Sequence, residues 1–575
     1  MAYLDKINKK LNRAFGDKVT AREEDDCLFL SGELANWDDI VCAGRMAVNK
    51  KRYVGLINDI HFTGATPAQP RMPDLSDDAL EGATPDVLIV GGGVTGCAIA
   101  RELSRYKLNV LLVEKEHDLA LQTSGRNDGM VHPGIDLKKS SRKHHYNLRG
   151  NKMYDDLCDK LNVEFYRCGQ YICFDKAWWK PILYILQLYW KWKGLSGTRV
   201  LNKRKLHNEE PSAPPEMIAA IFFPTSGIVC PYNLTIALAE NAVQNGVQVF
   251  LDTAVLGMET KEGAIQSVST NRGTVYPKIV INAAGVFCED IASMAGDRFY
   301  SIHPRKGTNA ILDKKFSDII ARTAISFIGT ATTRTAHSKG GGILRTADGN
   351  TLIGPDAVET IEKEDYTTTR ESIAETFRRQ KQACTALSES QIITYFSGVR
   401  AATYEEDFVV CKGRNTKNMV HAAGIQSPGL TAAPAISMDV TNFAVELLGG
   451  ERAVEKNDAF NPFRHIAPRT AKMDDEARAK LIEEDPNYGV IVCRCEEISK
   501  GEILDALRRP VPCDTIDGVK RRVRPGMGRC QGGFCGPIVL DIIAHEKNIP
   551  PERVKKSGDN SELLLGATKK GLSDG

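Results

Sequence analysis

No run of about 18 uncharged apolar residues occurs anywhere in the sequence, so it offers no transmembrane helix. The opening stretch, MAYLDKINKKLNRAF, is charged throughout and lacks the apolar core of a secretory signal. Charge of one sign is also missing. Lys and Arg number 75 against 73 Asp and Glu, and a net charge of +2 gives no general electrostatic reason to bind nucleic acid. Aromatic residues are only 7% of the chain, yet four of its five tryptophans crowd between Trp178 and Trp192. The 15 cysteines are odd in number and scattered, which fits a reducing compartment better than a disulfide framework. These absences predict a cytoplasmic protein. With 575 residues, 42% of them hydrophobic, the chain has room for about three or four domains with buried cores.

The stretch around which the chain is organised is PDVLIVGGGVTGCAIARELSRYKLNVLLVEK, residues 85–115. It reads as strand, tight turn, helix and second strand. Gly91, Gly93 and Gly96 fall at G-x-G-x-x-G spacing after a short apolar run. The first glycine allows the sharp turn, the second lets backbone approach a pyrophosphate, and the third lets the helix pack closely on the strand. Val94 and Thr95 open that helix. Glu114, followed by Lys115, ends the second strand, where a carboxylate can accept hydrogen bonds from a ribose. This unit predicts binding of a dinucleotide, and alone does not separate FAD from NAD.

Ahead of it, residues 1–60 alternate helical and strand patterns as a small α+β unit, and residues 61–84, rich in Pro, Gly, Ala and Asp, read as a linker. Behind it come LALQTSGRNDGMVHPGID (119–136), FPTSGIVCPY (223–232), KIVINAAG (278–285), TYFSGVR (394–400) and AAGIQSPGLTAA (422–433). Each joins small or hydrogen-bonding residues to a turn, so each has the composition of a ligand-lining segment.

In that order the segments resemble the glycerol-3-phosphate dehydrogenase and D-amino-acid oxidase superfamily of flavoproteins over residues 85–465. The resemblance implies an α/β, Rossmann-type FAD-binding domain with an inserted α+β substrate domain. It assigns FAD contacts to Gly91, Gly93, Val94, Thr95, Gly96, Glu114, Lys115, Thr123, Ser124, Asn127, Gly129, Val255, Ala284, Gly285, Gly424, Gly429, Leu430 and Thr431. It further implies that Arg400 grips a substrate carboxylate or phosphate, that His132 stands beside the flavin as a base, and that Lys306 and Arg345 add positive charge. Two departures bear on the substrate. Asp136 stands where glycerol-3-phosphate dehydrogenases tend to carry arginine, and the run Arg345–Asn350 lacks a histidine that some relatives have. An L-2-hydroxy acid, as in the 2-hydroxyglutarate dehydrogenases, is therefore the rival to a glycerol-3-phosphate-like substrate. The N-terminal run LFLSGELANWDD, with its helix and closing strand, resembles the BON domain, a module associated with membranes or partners.

Beyond a polar linker at 466–487, residues 488–548 carry Cys493-Arg-Cys495 and Cys530-Gln-Gly-Gly-Phe-Cys535, separated by 34 residues; 549–575 reads as a tail. Four thiolates so placed suit zinc or an iron-sulfur cluster. The flanking VCRCEEISKGEI and GMGRCQGGFCGP resemble the bacterioferritin-associated ferredoxin type of domain, a small helical unit, which implies a 2Fe-2S cluster on those four cysteines. FAD and cluster on one chain imply a dehydrogenase that oxidises a small anionic alcohol and passes electrons to an acceptor protein, by family analogy a second flavoprotein linked to NAD. A non-catalytic relay subunit of a larger complex is the alternative from another class. The segment 178–193, WWKPILYILQLYWKWK, interleaves aromatics and lysines and suits a helix lying on a membrane or in a partner's groove, or a lid packed on the substrate domain.

Overall fold

The computed structural model describes residues 2–211, 213–319, 324–327, 341–381, 384–450 and 452–566; positions 567–575 of the expected tail lie outside them. The dinucleotide unit sits in a six-stranded sheet ordered Gln248–Phe250, Val110–Val113, Val87–Val90, Ile279–Asn282, Met419–Ala423 and Val409–Lys412. The first five strands run parallel and the last is antiparallel. Val87–Val90, Val110–Val113, Ile279–Asn282 and Met419–Ala423 are buried along their whole length, because helices cover one face and a three-stranded meander the other. The helices Val94–Leu103, Pro231–Gln244 and Gly429–Leu447 pack together on the first face.

The substrate domain is a second sheet of nine strands among the described residues, drawn from 170–223 and 302–403. Its longest pair, Ile302–Leu312 and Ile392–Thr403, is antiparallel with Arg305 opposite Arg400 and Gly307 opposite Gly398. Side chains alternate along a strand and opposite residues share a face. Gly307, Asn309, Gly398 and Arg400 therefore face together, back toward the first sheet.

The N-terminal unit folds as helix Ala2–Phe15, hairpin Val19–Glu24 and Cys27–Leu34, helix Trp37–Ala47 and strand Gly55–Phe62, which pairs in parallel with the hairpin. It is seated on the oxidoreductase domain. Asn58 Nδ2 donates to Tyr404 Oη at 2.7 Å, the Leu56 amide donates to Glu405, and Arg45 pairs with Glu359 at 2.5 Å. The segment after it is equally pinned, with Arg272 holding Asp77 through two hydrogen bonds. Within 466–487 the chain forms a helix, Asp475–Glu484, capped by Asp474.

The C-terminal unit is helical, with Lys500–Arg508, Ile516–Val523 and Gly536–Lys547 around its own apolar core. It is clamped to the FAD domain by a buried ion pair in which Arg522 donates to both carboxylate oxygens of Asp118, at 2.8 and 3.0 Å. Arg524 adds bonds to Asp348 at 2.6 Å and to Glu496 at 2.9 Å, and Lys314 reaches Glu496 as well.

Candidate active site and thiolate cluster

Between the two sheets lies a cleft of about 410 Å³, and the predicted segments converge on it. Its walls carry Gly91, Gly93, Val94 and Thr95 from the fingerprint turn; Glu114 and Lys115 from the next strand end; Thr123, Ser124 and Asn127; Val255; Ala284 and Gly285; and Gly429 and Leu430. His132 and Arg400 line the same cleft.

Local geometry explains each glycine of the fingerprint. Gly91 has a φ of +114°, where a side chain is strained. A Cβ on Gly96 would lie 1.9 Å from the Gly91 carbonyl oxygen, so the helix packs this closely only without one. A Cβ on Gly93 would meet only the Ser124 hydroxyl, at 3.0 Å, and would otherwise project into the cleft. The turn is thus a cradle that any side chain at Gly93 would fill. Burial pushes the Glu114 carboxyl up to about 7, although the amides of Glu116 and Gly92 donate to it at 2.9 and 2.5 Å.

Several predicted contacts build the cleft from behind. Gly129 has positive φ and takes the Val229 amide on its carbonyl oxygen; Gly424 also has positive φ and accepts from the Gln426 amide. Thr431 accepts the His132 amide on its hydroxyl at 2.8 Å, while Asn147 and Asn151 donate to the His132 carbonyl at 3.1 and 3.0 Å. The His132 backbone is therefore held from both sides. Asn127 spends its amide on the carbonyls of Thr123 and Ser124 and accepts from the Gly129 amide, so it holds the loop.

Two expected sources of positive charge are not brought to the wall. Lys306 lies one residue out of phase with Gly307 and Asn309, faces the other side of the strand, and is paired with Asp365 at 2.5 Å. Arg345 ends the strand Gly342–Arg345 and is also outside the lining. Arg126, Asp128, Asn309 and Gln426 line the cleft without having been singled out. Arg126 and Asp128 sit inside the QTSGRND run, so the segment was legible where the residues were not. Among the described residues, Asn309 Oδ1 is buried with no hydrogen-bond partner, an acceptor left for a ligand.

Among the described residues of the substrate sheet, Arg400 is the cationic side chain that lines the cleft. Its Nη2 donates to the Asp356 carbonyl at 3.2 Å, and burial, reinforced by Arg305 across the pair, makes its charge harder to hold. A bound anion would relieve that. A network fixes the position of its neighbour: Arg305 donates to Glu359 and Glu406, and Glu406 accepts from Gln426 at 2.9 Å.

In the C-terminal unit the four predicted thiols meet in two pairs. Cys495 and Cys530 lie 4.0 Å apart, and the Cys535 thiol donates to Cys493 and holds it down to about 6. The Phe534 amide lowers Cys530 as well. Among the described residues no three metal-binding side chains converge on a single ion, whereas two thiol pairs suit the two irons of a 2Fe-2S cluster. A Cβ on Gly528 would lie 2.3 Å from the Cβ of Cys495, so the loop closes on the cysteines only with glycine there.

Residues 86–442 match the family model described as FAD dependent oxidoreductase. The chain belongs to that family. Residues 491–545, a span that holds the four paired cysteines, match the BFD-like [2Fe-2S] binding domain, which gives the oxidoreductase a second cofactor. It is 37% identical to a glycerol 3-phosphate dehydrogenase of Caloramator mitchellensis, over 84% of this chain and 99% of that one. An L-2-hydroxyglutarate dehydrogenase of Indibacter alkaliphilus is 25% identical over 63% of this chain and 98% of its own. Among solved structures, the dithionite-reduced L-alpha-glycerophosphate oxidase of Mycoplasma pneumoniae with FAD bound superposes with a TM-score of 0.61 at 29% identity, covering 67% of this chain and 99% of that one. The open cradle at Gly93 and the orphaned Asn309 acceptor fit a cleft that holds FAD and a polar substrate. No described helix is long and apolar enough to cross a membrane.

Proposed function

We propose that the oxidoreductase is a glycerol-3-phosphate dehydrogenase that passes its electrons by way of the cysteine cluster to a separate acceptor protein, a flavoprotein linked to NAD. The observation that carries this reading is the placement of Arg400 and His132 on one cleft with the fingerprint turn. Bound FAD supplies a two-electron hydride acceptor, and a 2Fe-2S cluster moves electrons singly. The residues supply the rest. Oxidising an alcohol to a carbonyl removes a hydride from carbon and a proton from the hydroxyl. His132, its backbone locked by Thr431, Asn147 and Asn151, takes that proton. Arg400 binds the phosphate through its planar fork and orients the carbon that loses hydride. Asn309 Oδ1 accepts a hydrogen bond from a substrate or cofactor donor.

Outflow to a protein is supported by the solvent-facing side of the cluster loop, where Cys495 and Phe534 are exposed. The aromatic helix Trp179–Trp192 further supports contact with a surface. Steady-state comparison of glycerol 3-phosphate, glycerol and L-2-hydroxyglutarate tests the substrate. Glycerol 3-phosphate should be preferred, and Arg400→Lys, which keeps charge but loses the fork, should raise its KM with FAD content unchanged. Preference for the hydroxy acid, or kinetics untouched by Arg400→Lys, contradicts the reading.

A further inference from the structure

The helix Trp179–Trp192 has two unlike apolar faces. Inward, Leu183 and Trp190 are buried; the Trp190 indole donates to the Ile135 carbonyl at 3.2 Å and meets Phe223 edge-on at 5.0 Å. The inner face thus packs on the substrate domain. Outward, Tyr184, Ile185, Leu188, Tyr189 and Trp192 recur at helical spacing as one stripe, each 48% to 68% exposed. Trp178 extends the stripe at its N-terminal end at 53% exposure. A folded domain has no reason of its own to expose five large apolar side chains in register.

Charge along the segment is mostly of one sign. From Lys176 to Asn208 the chain holds eight Lys and Arg and no carboxylate, and all but Lys193 are exposed; Lys176 and Arg199 are paired with the flanking Asp175 at 3.4 Å and Glu209 at 2.9 Å, which leaves Lys180, Lys191, Lys203, Arg204 and Lys205 as the exposed bases beyond those pairs. The Lys139 ammonium stands 3.7 Å over the Trp192 ring, adding a cation at the C-terminal end. Tryptophan and tyrosine with an apolar body and polar edge, flanked by lysines, suit the headgroup layer of a bilayer. A second copy of the chain would set these cations against their own images across a twofold axis, which repels. A protein groove would have to supply both apolar depth and a carboxylate rim.

We propose that this helix is an in-plane anchor that seats the enzyme on an anionic lipid surface, with Ile185, Leu188 and Trp192 entering the headgroup and acyl boundary and the exposed lysines facing lipid phosphates. The anchor is independent of which substrate the cleft oxidises. The test is co-sedimentation of the full FAD-loaded chain with vesicles of phosphatidylcholine alone and of phosphatidylcholine mixed with phosphatidylglycerol. Binding is expected to the mixed vesicles, weakened by salt. The triple variant Ile185→Ser, Leu188→Ser, Trp192→Ser should partition at least about 100-fold less, with flavin content and soluble-substrate turnover unchanged. Lys180→Gln with Lys191→Gln should reduce binding about 10- to 30-fold on the anionic vesicles only. No binding to mixed vesicles, or equal binding by the triple variant, overturns the proposal. So does light scattering that finds a dimer which the triple variant dissolves, because a second copy then covers the stripe.

Discussion

Removing the Arg522 guanidinium should detach the cluster unit from the flavin domain more effectively than removing Asp118, because the two partners are not left equally stranded. Arg522 also donates to the Val511 carbonyl, at 3.0 and 3.3 Å, and to the Gly518 carbonyl at 3.1 Å, so it keeps neutral partners when Asp118 becomes Asn. Asp118 lies almost wholly buried and, among the described residues, retains Arg521 at 3.2 Å and the Leu119 amide. Burial alone would raise its carboxyl; Arg522, with help from Arg521, instead lowers it from 3.8 to about 2. That shift corresponds to about 2.5 kcal/mol of preference for the charged form. Stranding a buried partner costs about 3 to 5 kcal/mol. Arg522→Met should therefore destabilise docking by about 3 kcal/mol or more and Asp118→Asn by less. The double variant should show a coupling of at least about 1.5 kcal/mol.

Because the folded pKa is depressed, the contribution is present above the ordinary carboxylate value of 3.8 and is lost as pH falls toward about 2. The assay is denaturant unfolding of the single and double variants, followed with limited proteolysis around 466–487, so that release of the C-terminal unit is distinguished from global unfolding. A loss below about 1 kcal/mol for Arg522→Met, or additive single variants, would refute the clamp.

Gly93→Val should fold, since its Cβ meets only the Ser124 hydroxyl, but should be purified without flavin. Gly96→Val should lose folded yield instead, its Cβ falling on the Gly91 carbonyl; full flavin occupancy of the Gly93 variant would exclude the cradle. Gly528→Val should prevent the Cys495 side of the cluster loop from closing, and iron and sulfide analysis should find both depleted while FAD remains. Iron at parent levels in that variant would place the cluster elsewhere.

The parts of this molecule legible in its sequence are those fixed by short-range spacing. The fingerprint turn needs its glycines within six residues of one another, and the paired cysteines bracket two short loops, so both announce themselves. The order of the later small-residue segments reveals the cleft because KIVINAAG and AAGIQSPGLTAA each end a strand of the six-stranded sheet, while TYFSGVR lies in a strand of the substrate sheet that faces it. What stayed hidden depends on pairing between distant segments. Lys306 looked available until the register of its strand turned it toward Asp365, and Arg345 until its strand was placed in the sheet beyond the cleft wall. Asn309 lies in an unremarkable run, and Gln426 lies inside the AAGIQSPGLTAA turn without a local mark of its own; both acquire a role only where the two sheets face each other. The Asp118–Arg522 pair joins residues about four hundred positions apart and has no local signature.

The central claim is tested most directly by adding glycerol 3-phosphate to the FAD-loaded, cluster-loaded chain without oxygen and recording flavin absorbance together with low-temperature electron paramagnetic resonance. The account predicts bleaching of the flavin and the appearance of a reduced 2Fe-2S signal, with bleaching retained and that signal absent in Cys530→Ser. A flavin that stays oxidised with glycerol 3-phosphate, or stoichiometric zinc in place of iron in anaerobically prepared protein, would contradict it.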